Sequence, residues 1–463
     1  MYIERFFRET LTAMYKFHGK RAIIVPVVIF IGATFYLWTC CHFDQLYQAA
    51  FFTQDQKGTT AWLKLQEDVQ WSKIEQRPKP DMKEIHDRWI VVTSVASPTN
   101  QVKNLSKIKE WRLVVVADIK TPKDWGYPNV VFLSVEKQKQ LGYRTTDLLP
   151  FKSYSRKTIG YLYAIEHGAK IIYETDDDNY PYDGNIGFRP EGKGDFLVYA
   201  SNRTTINIYE HFGQSSIWPR GYPLENIGDP VQHTFVKCGE VMPLIQQGVV
   251  NGDPDVDAIF RLTRKDSGVK LDVEFDSNAP PVLLPRGSYA PFNSQNTLFL
   301  YDAFWGLMMP PGPAMRVTDI WRAYLDKRIL EEIDGYLAFF GPNAYQERNA
   351  HSYLDDFIDE KALYHDAGRF IAFLRKWNTT KTHFFDRILE LTVACVKEKF
   401  LEPIDAHVMK AWLSDLISIG YKIPELQDQK VPCRKVLEPP KVLRFKEKPS
   451  SYNGLGKKLK NIF

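Results

Sequence analysis

Short apolar runs alternate with amphipathic stretches between residues 89 and 175 of the chain. Residues 153–168 place apolar side chains near helical spacing and end at Gly168, which predicts a helix. Continuous runs rich in β-branched residues instead predict strands that are buried on both faces, as in a parallel sheet. Four such runs occur, at 89–95, 113–118, 130–133 and 170–175. This alternation indicates an α/β fold with a doubly wound, Rossmann-type sheet.

The pattern changes beyond this region. Residues 184–311 are rich in Gly, Pro and Asn and contain short strand candidates. Residues 317–335 and 353–420 have the periodicity of helices, which predicts a helical C-terminal region. With 463 residues, 44% of them hydrophobic, the chain is long enough for two or three domains and a large core.

The stretch from Ala22 to Cys41 contains 20 residues and no charged side chain. A helix of that length spans about 30 Å, the thickness of the hydrocarbon core of a bilayer. Basic residues precede the stretch, so the positive-inside rule predicts a signal anchor with a cytosolic N-terminus. A cleaved signal peptide is the alternative, although the run is long for one and no A-x-A-like site follows.

The formal net charge of +4 is distributed unevenly along the chain. Residues 1–21 carry five cations and two anions, and residues 431–463 carry nine cations and two anions. The ends therefore contribute +3 and +7, which leaves about −6 for the rest of the chain. Because the central part is slightly acidic, it does not resemble a nucleic-acid groove, and we expect no nucleic-acid partner.

Cysteines and glycosylation motifs bear on the compartment and on assembly. Cys40 and Cys41 follow the apolar stretch and could be palmitoylated or pair between two chains, so a homodimer is one prediction. Cys238, Cys395 and Cys433 could form one disulfide and leave one free thiol. The sequence does not decide which two of them pair. Glycosylation in a lumenal compartment is predicted at the three N-x-S/T motifs, which begin at Asn104, Asn202 and Asn378.

An apolar strand ends in clustered carboxylates within the stretch AKIIYETDDDN, residues 169–179. Glu174, Asp176, Asp177 and Asp178 would present hard oxygen ligands at the edge of the sheet. Mn²⁺ or Mg²⁺ takes such ligands together with the oxygens of a bound diphosphate. The ligand pair is open, because Asp176-x-Asp178 and Glu174-x-Asp176 both have suitable spacing. The alternative is an acidic turn or a helix N-cap.

Four residues that precede this cluster in the sequence are candidate nucleotide-sugar contacts. Arg156 and Lys157 stand at the start of the predicted helix, where cations and free N–H groups suit a phosphate or ribose. Ser94 and Asp118 follow the first two strands, and ligands of open α/β sheets bind at the carboxyl ends of strands. The alternatives are a solvated basic turn for the cations and a helix cap for Asp118.

Two later motifs supply candidates for the substrate and for catalysis. Asp253, Asp255 and Asp257 alternate in a loop-like stretch and could hold sugar hydroxyls or an acceptor, with Asp255 as a candidate base. In the motif of residues 316–322, Asp319 is the other candidate base, while Arg316 and Trp321 are candidate substrate contacts. An ordinary helix start is the alternative for this second motif.

Five long motifs occur in a fixed order along the chain, at Lys157–Lys170 with the acid cluster after it, Val249–Thr263, Pro291–Phe299, Phe304–Met308 and Arg316–Arg322. On these motifs the chain resembles the STELLO family of Golgi glycosyltransferases, over about residues 89–365. That family is more remotely similar to reversibly glycosylated polypeptides, which act on UDP-sugars in a GT-A fold. The resemblance implies a GT-A-like sheet with a nucleotide-sugar site.

The resemblance also implies a single-pass, type II Golgi membrane protein with a lumenal C-terminus. We therefore predict a GT-A-like Rossmann-type sheet behind an N-terminal transmembrane helix, followed by a helical C-terminal region. The predicted segments are a cytosolic tail at 1–21, a transmembrane signal anchor at 22–41, a stem at 42–85, a GT-A-like catalytic domain at 86–335, a helical C-terminal region at 336–423 and a basic tail at 424–463.

The function implied is a metal-dependent glycosyltransferase of the Golgi lumen. It would move a sugar from a nucleotide sugar, UDP-linked by the resemblance, to an unknown glycan, lipid or protein acceptor. A second hypothesis is a catalytically inactive Golgi scaffold or trafficking factor that retains the glycosyltransferase fold. A third is a metal-dependent phosphoester hydrolase, which usually needs further His or carboxylate ligands for two metals.

Overall fold

The computed structural model describes residues 61–67, 69–200, 203–229, 234–264, 271–346, 352–427 and 433–435. The chain divides into two compact units, Met1–Trp62 and Leu63–Phe463, and the elements given below belong to the second. The predicted cytosolic tail, signal anchor and first part of the stem lie outside the described residues. Cys40, Cys41, Asn202 and most of the predicted basic tail also lie outside them.

Within the described residues, eleven strands form one mixed sheet. In chain order they are β1 (Arg88–Ser94), β2 (Arg112–Ala117), β3 (Val130–Leu133), β4 (Ile171–Thr175), β5 (Asn179–Pro181), β6 (Gly194–Tyr199), β7 (Phe235–Gly252), β8 (Val282–Leu283), β9 (Asn296–Leu300), β10 (Gly335–Gln346) and β11 (Cys433–Lys435). The strand order is β3-β2-β1-β4-β9-β7-β6-β8-β10-β5, with β11 added to β7.

Helices connect and cover these strands. The α-helices of the described residues are α1 (Asn100–Leu105), α2 (Val135–Gln140), α3 (Arg144–Leu148), α4 (Lys157–Glu166), α5 (Ile208–His211), α6 (Ala258–Thr263), α7 (Met315–Leu330), α8 (Tyr353–Asp359), α9 (Lys361–Lys376), α10 (Phe384–Lys397) and α11 (Pro403–Ser418). Short 3₁₀ helices lie at Trp71–Lys73, Met82–Glu84, Tyr154–Arg156, Tyr182–Gly184, Leu224–Asn226, Tyr301–Leu307 and Glu331–Ile333.

The first half of the sheet is parallel, from β3 through β2 and β1 to β4. The Val, Ile and Leu residues of β1, β2 and β4 are buried, as the continuous apolar runs predicted, whereas in β3 only Leu133 is fully buried. Helix α4 packs against β1 and β2 at Gly160, where an added Cβ would lie 2.7 Å from both Val91 and Val116. The helix and sheet approach so closely here because Gly160 has no side chain.

The second half of the sheet is mixed. Strand β9 is antiparallel to both β4 and β7, and β7 is parallel to β10. The pairings β7–β6, β6–β8, β8–β10 and β10–β7 form a closed circuit. Its interior is a small apolar core that contains Val198, Cys238, Val241, Leu283, Tyr336 and Ala338.

The predicted fold class, a GT-A-like Rossmann-type sheet behind a transmembrane helix with a helical C-terminal region, is wrong. The sheet is mixed, because antiparallel strands follow the parallel half. Strand β10 occupies the start of the stretch for which helices were expected. No helix within the described residues is long and apolar enough to cross a membrane, and residues 22–41 are outside those residues. The predicted domain boundaries stay predictions.

Helix α11 packs against α3 and α4 beside the parallel half of the sheet, whereas α9 packs against α7. The buried carboxylate of Asp415 in α11 accepts hydrogen bonds from the backbone N–H of Arg144 at 3.1 Å and of Thr145 at 2.8 Å. It thereby satisfies free donors at the start of α3. Cys238 is disulfide-bonded, and Cys395 in α10 is a buried free thiol.

Candidate functional site

A cleft of about 660 Å³ opens at the carboxyl edge of β1, β2 and β4. Its volume lies in the range of sites for small molecules. The structure brings together nine of the residues predicted to form the site, since the cleft is lined by Ser94, Asp118, Arg156, Asp176, Asp177, Asp178, Asp255, Arg316 and Asp319.

The cleft has two sides, which differ in how they are built. The near wall comprises Ser94, Asp118, Arg156 and the acid cluster Asp176–Asp178. These residues lie at or directly beside the ends of strands and helices in the parallel half of the sheet. The far wall comprises residues from loops and from the first turns of α7, namely Arg220, Asp255, Asn293, Arg316 and Asp319.

Asp176 is held by the half-buried Tyr154 and the buried Lys157. Its Oδ1 accepts a hydrogen bond of 2.6 Å from the Tyr154 hydroxyl and lies 3.3 Å from Lys157 Nζ. Lys157 Nζ also donates to the carbonyl oxygens of Thr175 at 2.7 Å and Ser294 at 3.2 Å. Lys157, predicted as a phosphate or ribose contact, is therefore a buried support for Asp176.

Asp177 and Asp178 are oriented by different neighbours. The Ser94 hydroxyl donates to Asp177 Oδ2 at 2.6 Å, and the Gln346 amide donates to Asp178 Oδ2 at 3.2 Å. Burial raises the pKa of Asp177, and the Asp176 carboxylate raises it further, against the opposing effects of the Ser94 hydrogen bond and of Lys157. A cation near the cluster would therefore be stabilised by adjacent negative charge.

Glu174 does not face the cleft, although its spacing from Asp176 suits a metal site. Arg322 Nη1 and Nη2 donate to its two oxygens at 2.9 and 2.5 Å, and the Tyr161 hydroxyl donates to it as well. Glu174, Arg322 and Tyr161 are fully buried in the core. Burial alone lowers the pKa of Arg322, but the Glu174 carboxylate raises it well above its usual value. Glu174 is thus part of a structural ion pair, which leaves Asp176-x-Asp178 as the candidate metal pair.

Arg156 and Asp118 stabilise the loops at the edge of the near wall. Arg156 Nε donates to Gln138 Oε1 at 3.1 Å, and its guanidinium lies 4.4 Å above the Phe151 ring. Burial lowers the pKa of Arg156, while Asp118 opposes that shift. Asp118 Oδ2 accepts the backbone N–H of Ser153 at 3.1 Å, so this carboxylate joins the loop after β2 to the loop before α4.

Arg220 is the residue of the far wall that the sequence analysis missed. It binds two carboxylates at once, with Nη2 at 2.8 Å from Asp255 Oδ2 and 2.9 Å from Asp319 Oδ2. Burial alone lowers the pKa of Arg220, but Asp255 and Asp319 raise it well above its usual value. The available signal was that Arg220 is the only charged residue in the run 212–223, between Pro219 and Gly221.

Two polar neighbours complete the far wall. Asn293 Nδ2 donates to Asp255 Oδ2 at 2.7 Å, next to the Arg220 contact. Arg316 Nε donates to Glu360 Oε1 at 2.8 Å and lies 3.6 Å from Asp356 Oδ1. The carboxylates of the far wall are therefore arranged around two arginines.

Three predicted substrate residues lie elsewhere in the structure. Asp253 forms an ion pair of 2.7 Å with Arg261. Asp257 is the N-cap of α6, where it accepts the backbone N–H of Phe260 at 2.7 Å. Trp321 is a core residue.

Each of these placements has a local cause. Trp321 lies on the buried side of α7, where its ring is 5.0 Å from that of Phe370. Asp257 also accepts from the Trp218 indole at 2.6 Å, and burial raises its pKa to about 6. Residue type alone does not distinguish an ion-paired carboxylate, a capping carboxylate or a core aromatic residue from a sugar contact. This explains why Asp253, Asp257 and Trp321 were all predicted.

Comparisons with known proteins support the earlier resemblance. A family model described as STELLO glycosyltransferases matches residues 316–435. The chain is 42% identical over 353 residues to the probable glycosyltransferase STELLO1 of Arabidopsis thaliana, a match that covers 73% of this chain and 45% of the relative. It is 37% identical over 420 residues to the probable glycosyltransferase STELLO2 of the same plant, which covers 87% of this chain and 54% of the relative.

These matches support a STELLO-like glycosyltransferase family for this chain. It spans about half the length of the two relatives that it matches. The family model begins at Arg316 and includes Asp319 of the far wall, whereas the acid cluster and Arg220 precede the matched residues.

Two further predictions for this STELLO-like chain concern its surface and its metal. Asn104 in α1 and Asn378 after α9 are exposed, as a glycosylation site requires. Within the described part of the chain, no group of three or more His, Cys, Asp or Glu side chains is arranged to hold a metal ion. Any cation in the cleft would therefore need ligands from a bound substrate or water.

Proposed function

We propose that this chain is a metal-dependent glycosyltransferase that moves a sugar from a UDP-linked nucleotide sugar to an acceptor. The observation that carries the proposal is the row Asp176–Asp178 in the middle of a 660 Å³ cleft, at the carboxyl edge of parallel strands. Ligands of open α/β sheets bind at such an edge. The family assignment supports group transfer as the reaction.

The acid cluster fits Mn²⁺ or Mg²⁺ in one particular way. Both cations prefer carboxylate oxygens, and at nucleotide sites they take one or two protein carboxylates, with substrate phosphates and waters as the other ligands. Asp176 and Asp178, with Asp177 between them, are the residues that would hold the cation. A bound cation supplies positive charge that stabilises the departing nucleoside diphosphate.

The protein's own groups have separate tasks in this proposal. Ser94 and Asp118 would orient the nucleoside, because they lie at the ends of β1 and β2. Tyr154 and Lys157 keep the Asp176 carboxylate pointing at the cleft through contacts of 2.6 and 3.3 Å. Because they are fixed in advance, these groups need not reorganise when the substrate arrives.

Asp255 and Asp319, the two predicted catalytic bases, are assigned a different task here. Each carboxylate accepts charge-assisted hydrogen bonds from Arg220, which fix its orientation. We assign both residues to holding sugar hydroxyls instead of removing a proton. The Golgi lumen is the proposed location, and the exposed sequons at Asn104 and Asn378 are compatible with it.

Nucleotide binding to the full chain tests this function. Calorimetric titration with UDP and a panel of UDP-sugars should give binding that requires Mn²⁺. We expect Asp176→Asn and Asp178→Asn to weaken metal-dependent binding at least about tenfold, the effect of losing about 1.4 kcal/mol. Asp257→Asn is the matched control, because Asp257 caps α6 and does not line the cleft.

Two results would overturn the proposal. One is the absence of any UDP or UDP-sugar binding by the folded chain. The other is binding that is indifferent both to chelation of the metal and to the Asp176 and Asp178 substitutions. Either result would favour the alternative, a catalytically inactive scaffold that retains the glycosyltransferase fold.

A further inference from the structure

Helix α8 presents its apolar side chains to solvent and carboxylates to the protein. Leu354 and Ile358 are 64% and 67% exposed, and Phe357 is exposed as well. Asp356 in the helix and Glu360 directly after it are buried. A surface helix normally has the opposite arrangement, with its apolar stripe towards the core. A group of large apolar side chains exposed in this way marks a surface that contacts a partner.

The orientation of α8 is fixed by buried contacts to one arginine. The Glu360 carboxylate accepts a hydrogen bond of 2.8 Å from Arg316 Nε. Asp356, one turn earlier, lies 3.6 Å from the same Nε. Residues two positions apart on a helix point about 200° away from each other, so these contacts turn Leu354 and Ile358 outwards.

The exposed face of α8 borders the cleft at the far wall. Asp356 on α8 and Met315 at the start of α7 both line the cleft, and Met315 is exposed. Helices α7 and α8 contact each other here, through Arg316 and Asp356 among others. We call the exposed apolar side chains of these two helices the apolar rim, which comprises Met315, Leu354, Phe357 and Ile358.

The place of the apolar rim relative to a bound nucleotide sugar gives it a role. In the proposed function the nucleoside lies at the ends of β1 and β2, and the diphosphate lies at the acid cluster, so the sugar would lie at the far wall. An acceptor hydroxyl has to reach this sugar. The body of a large acceptor would then lie against the surface that borders the far wall, which is the apolar rim.

Charge selects among the occupants that an apolar surface could have. Asp355 is exposed and Asp359 is half-buried, and each directly follows an apolar residue of the rim. Carboxylates beside apolar side chains favour a partner that presents Lys or Arg beside its own apolar side chains. The same carboxylates disfavour an anionic membrane surface, which attracts basic segments.

We propose that the apolar rim docks the acceptor, and that this acceptor is a polypeptide with a segment of mixed apolar and basic side chains, an inference that rests on the proposed function. The apolar side chains of the segment cover Leu354 and Ile358, and its cations pair with Asp355. In the transfer, an acceptor hydroxyl oxygen bonds to the anomeric carbon and the bond from that carbon to UDP breaks. UDP leaves with the bonding electrons, and the hydroxyl proton goes to water.

Matched synthetic peptides test the docking on the full chain with UDP and Mn²⁺. The first peptide contains only Leu, Lys and Ser, the second has Glu in place of each Lys, and the third has Ser in place of each Leu. We expect the first to bind about tenfold or more tightly than either of the others, as measured by fluorescence anisotropy. If UDP fails to bind, the proposed function fails, and the acceptor role fails with it. If UDP binds and the first peptide binds no more tightly than the others, this inference alone is overturned.

A double variant assigns the docking to the apolar rim. Leu354→Ser with Ile358→Ser alters only exposed side chains, so we expect the chain to fold and to bind UDP as the wild type does. Its affinity for the Leu–Lys peptide should fall about tenfold or more. Met82→Ser is the control, because Met82 is exposed and lies outside the cleft, and it should leave peptide affinity unchanged.

Two results with the folded double variant would overturn the proposal. One is a peptide affinity equal to that of the wild type. The other is weaker binding to vesicles of phosphatidylcholine and phosphatidylserine with peptide affinity retained, which would make the apolar rim a membrane surface. If the double variant does not fold, Asp355→Lys replaces it, and this reversal of an exposed charge should weaken binding of the Leu–Lys peptide and strengthen binding of the Leu–Glu peptide.

Discussion

The near and far walls of the cleft hold their polar groups in place by different means. In the near wall, Ser94 is the last residue of β1 and Asp176 directly follows β4. The backbones of these two strands are paired in a parallel ladder. In the far wall, Asp255 comes from a loop and Asp319 from the first turns of α7, and Arg220 holds them together. The near wall is fixed chiefly by main-chain pairing, and the far wall chiefly by buried charge.

This difference has a consequence for tolerance to substitution. Many backbone hydrogen bonds position the near wall, so the loss of one side chain leaves the pairing of its strands intact. In the far wall, Asp255 and Asp319 share the Arg220 guanidinium, and a buried carboxylate that loses its partner is costly. Substitutions should therefore affect the near wall locally and the far wall as a unit.

The largest effect is expected from removing the cation of the far wall. Arg220→Met leaves Asp255 and Asp319 buried without their shared partner. We expect the free energy of unfolding to fall by about 3–5 kcal/mol, as measured by urea denaturation.

Lys170→Met is the control for this experiment, because Lys170 pairs with Asp87 at 3.1 Å on the surface, with both side chains more than 60% exposed. That variant should lose less than about 1 kcal/mol. Equal losses for the two variants would contradict the view that the far wall depends on buried charge.

A second effect concerns pH and the loop that carries Asp255. Burial raises the pKa of Asp257, at the end of this loop, to about 6 from 3.8. The folded chain therefore holds this proton more tightly than the unfolded chain, so the contribution is fully present below pH 4 and is lost as pH rises through 6. A pKa difference of about two between the folded and unfolded chains corresponds to roughly 3 kcal/mol of folding free energy.

Unfolding free energies of wild type and Asp257→Asn, measured from pH 4 to 7, check this prediction. Asparagine still caps a helix but does not titrate, so the difference between the two curves should grow in favour of the variant as pH rises. A constant difference across this range would show that Asp257 does not titrate there.

A smaller effect tests the packing behind the near wall. Gly160→Ala adds a methyl group that would lie 2.7 Å from Val91 and Val116, at the contact between α4 and the sheet. Overpacking should outweigh the gain in helix propensity and lower stability by about 1–2 kcal/mol in urea denaturation. Gly126→Ala is the control, since no atom lies within 4 Å of its added Cβ. A stabilised Gly160→Ala chain would mean that α4 can move away from the sheet without cost.

The near wall could be predicted from sequence because its signals are local. The run 130–133 corresponds to β3, and the run 170–175 contains β4 and ends at the acid cluster. Each strand is a short block of apolar residues, and the polar residue after it is found by reading one or two positions further. The orientations of Glu174 and Lys157 were missed, because their partners Arg322 and Ser294 are distant in sequence.

The far wall and the mixed half of the sheet could not be predicted in this way. Arg220 meets Asp255 and Asp319, which are 35 and 99 positions away, and no periodicity reports such a contact. Strand β7 contains Pro243 and Gly248 within its 18 residues, which obscures the strand pattern. Asp255 and Asp319 were selected for their residue type, whereas their shared partner required the fold.

The pairing of β4 with β9 has a consequence for synthesis of the chain. Strands β1 to β4 are complete once residue 175 has emerged, but β9, the next neighbour of β4 in the sheet, ends 125 residues later, at Leu300. At 5–20 residues per second, the interval is about six seconds or more. During it, the growing chain presents an unpaired sheet edge at β4, so we expect nascent chains stalled in this interval to depend on a chaperone.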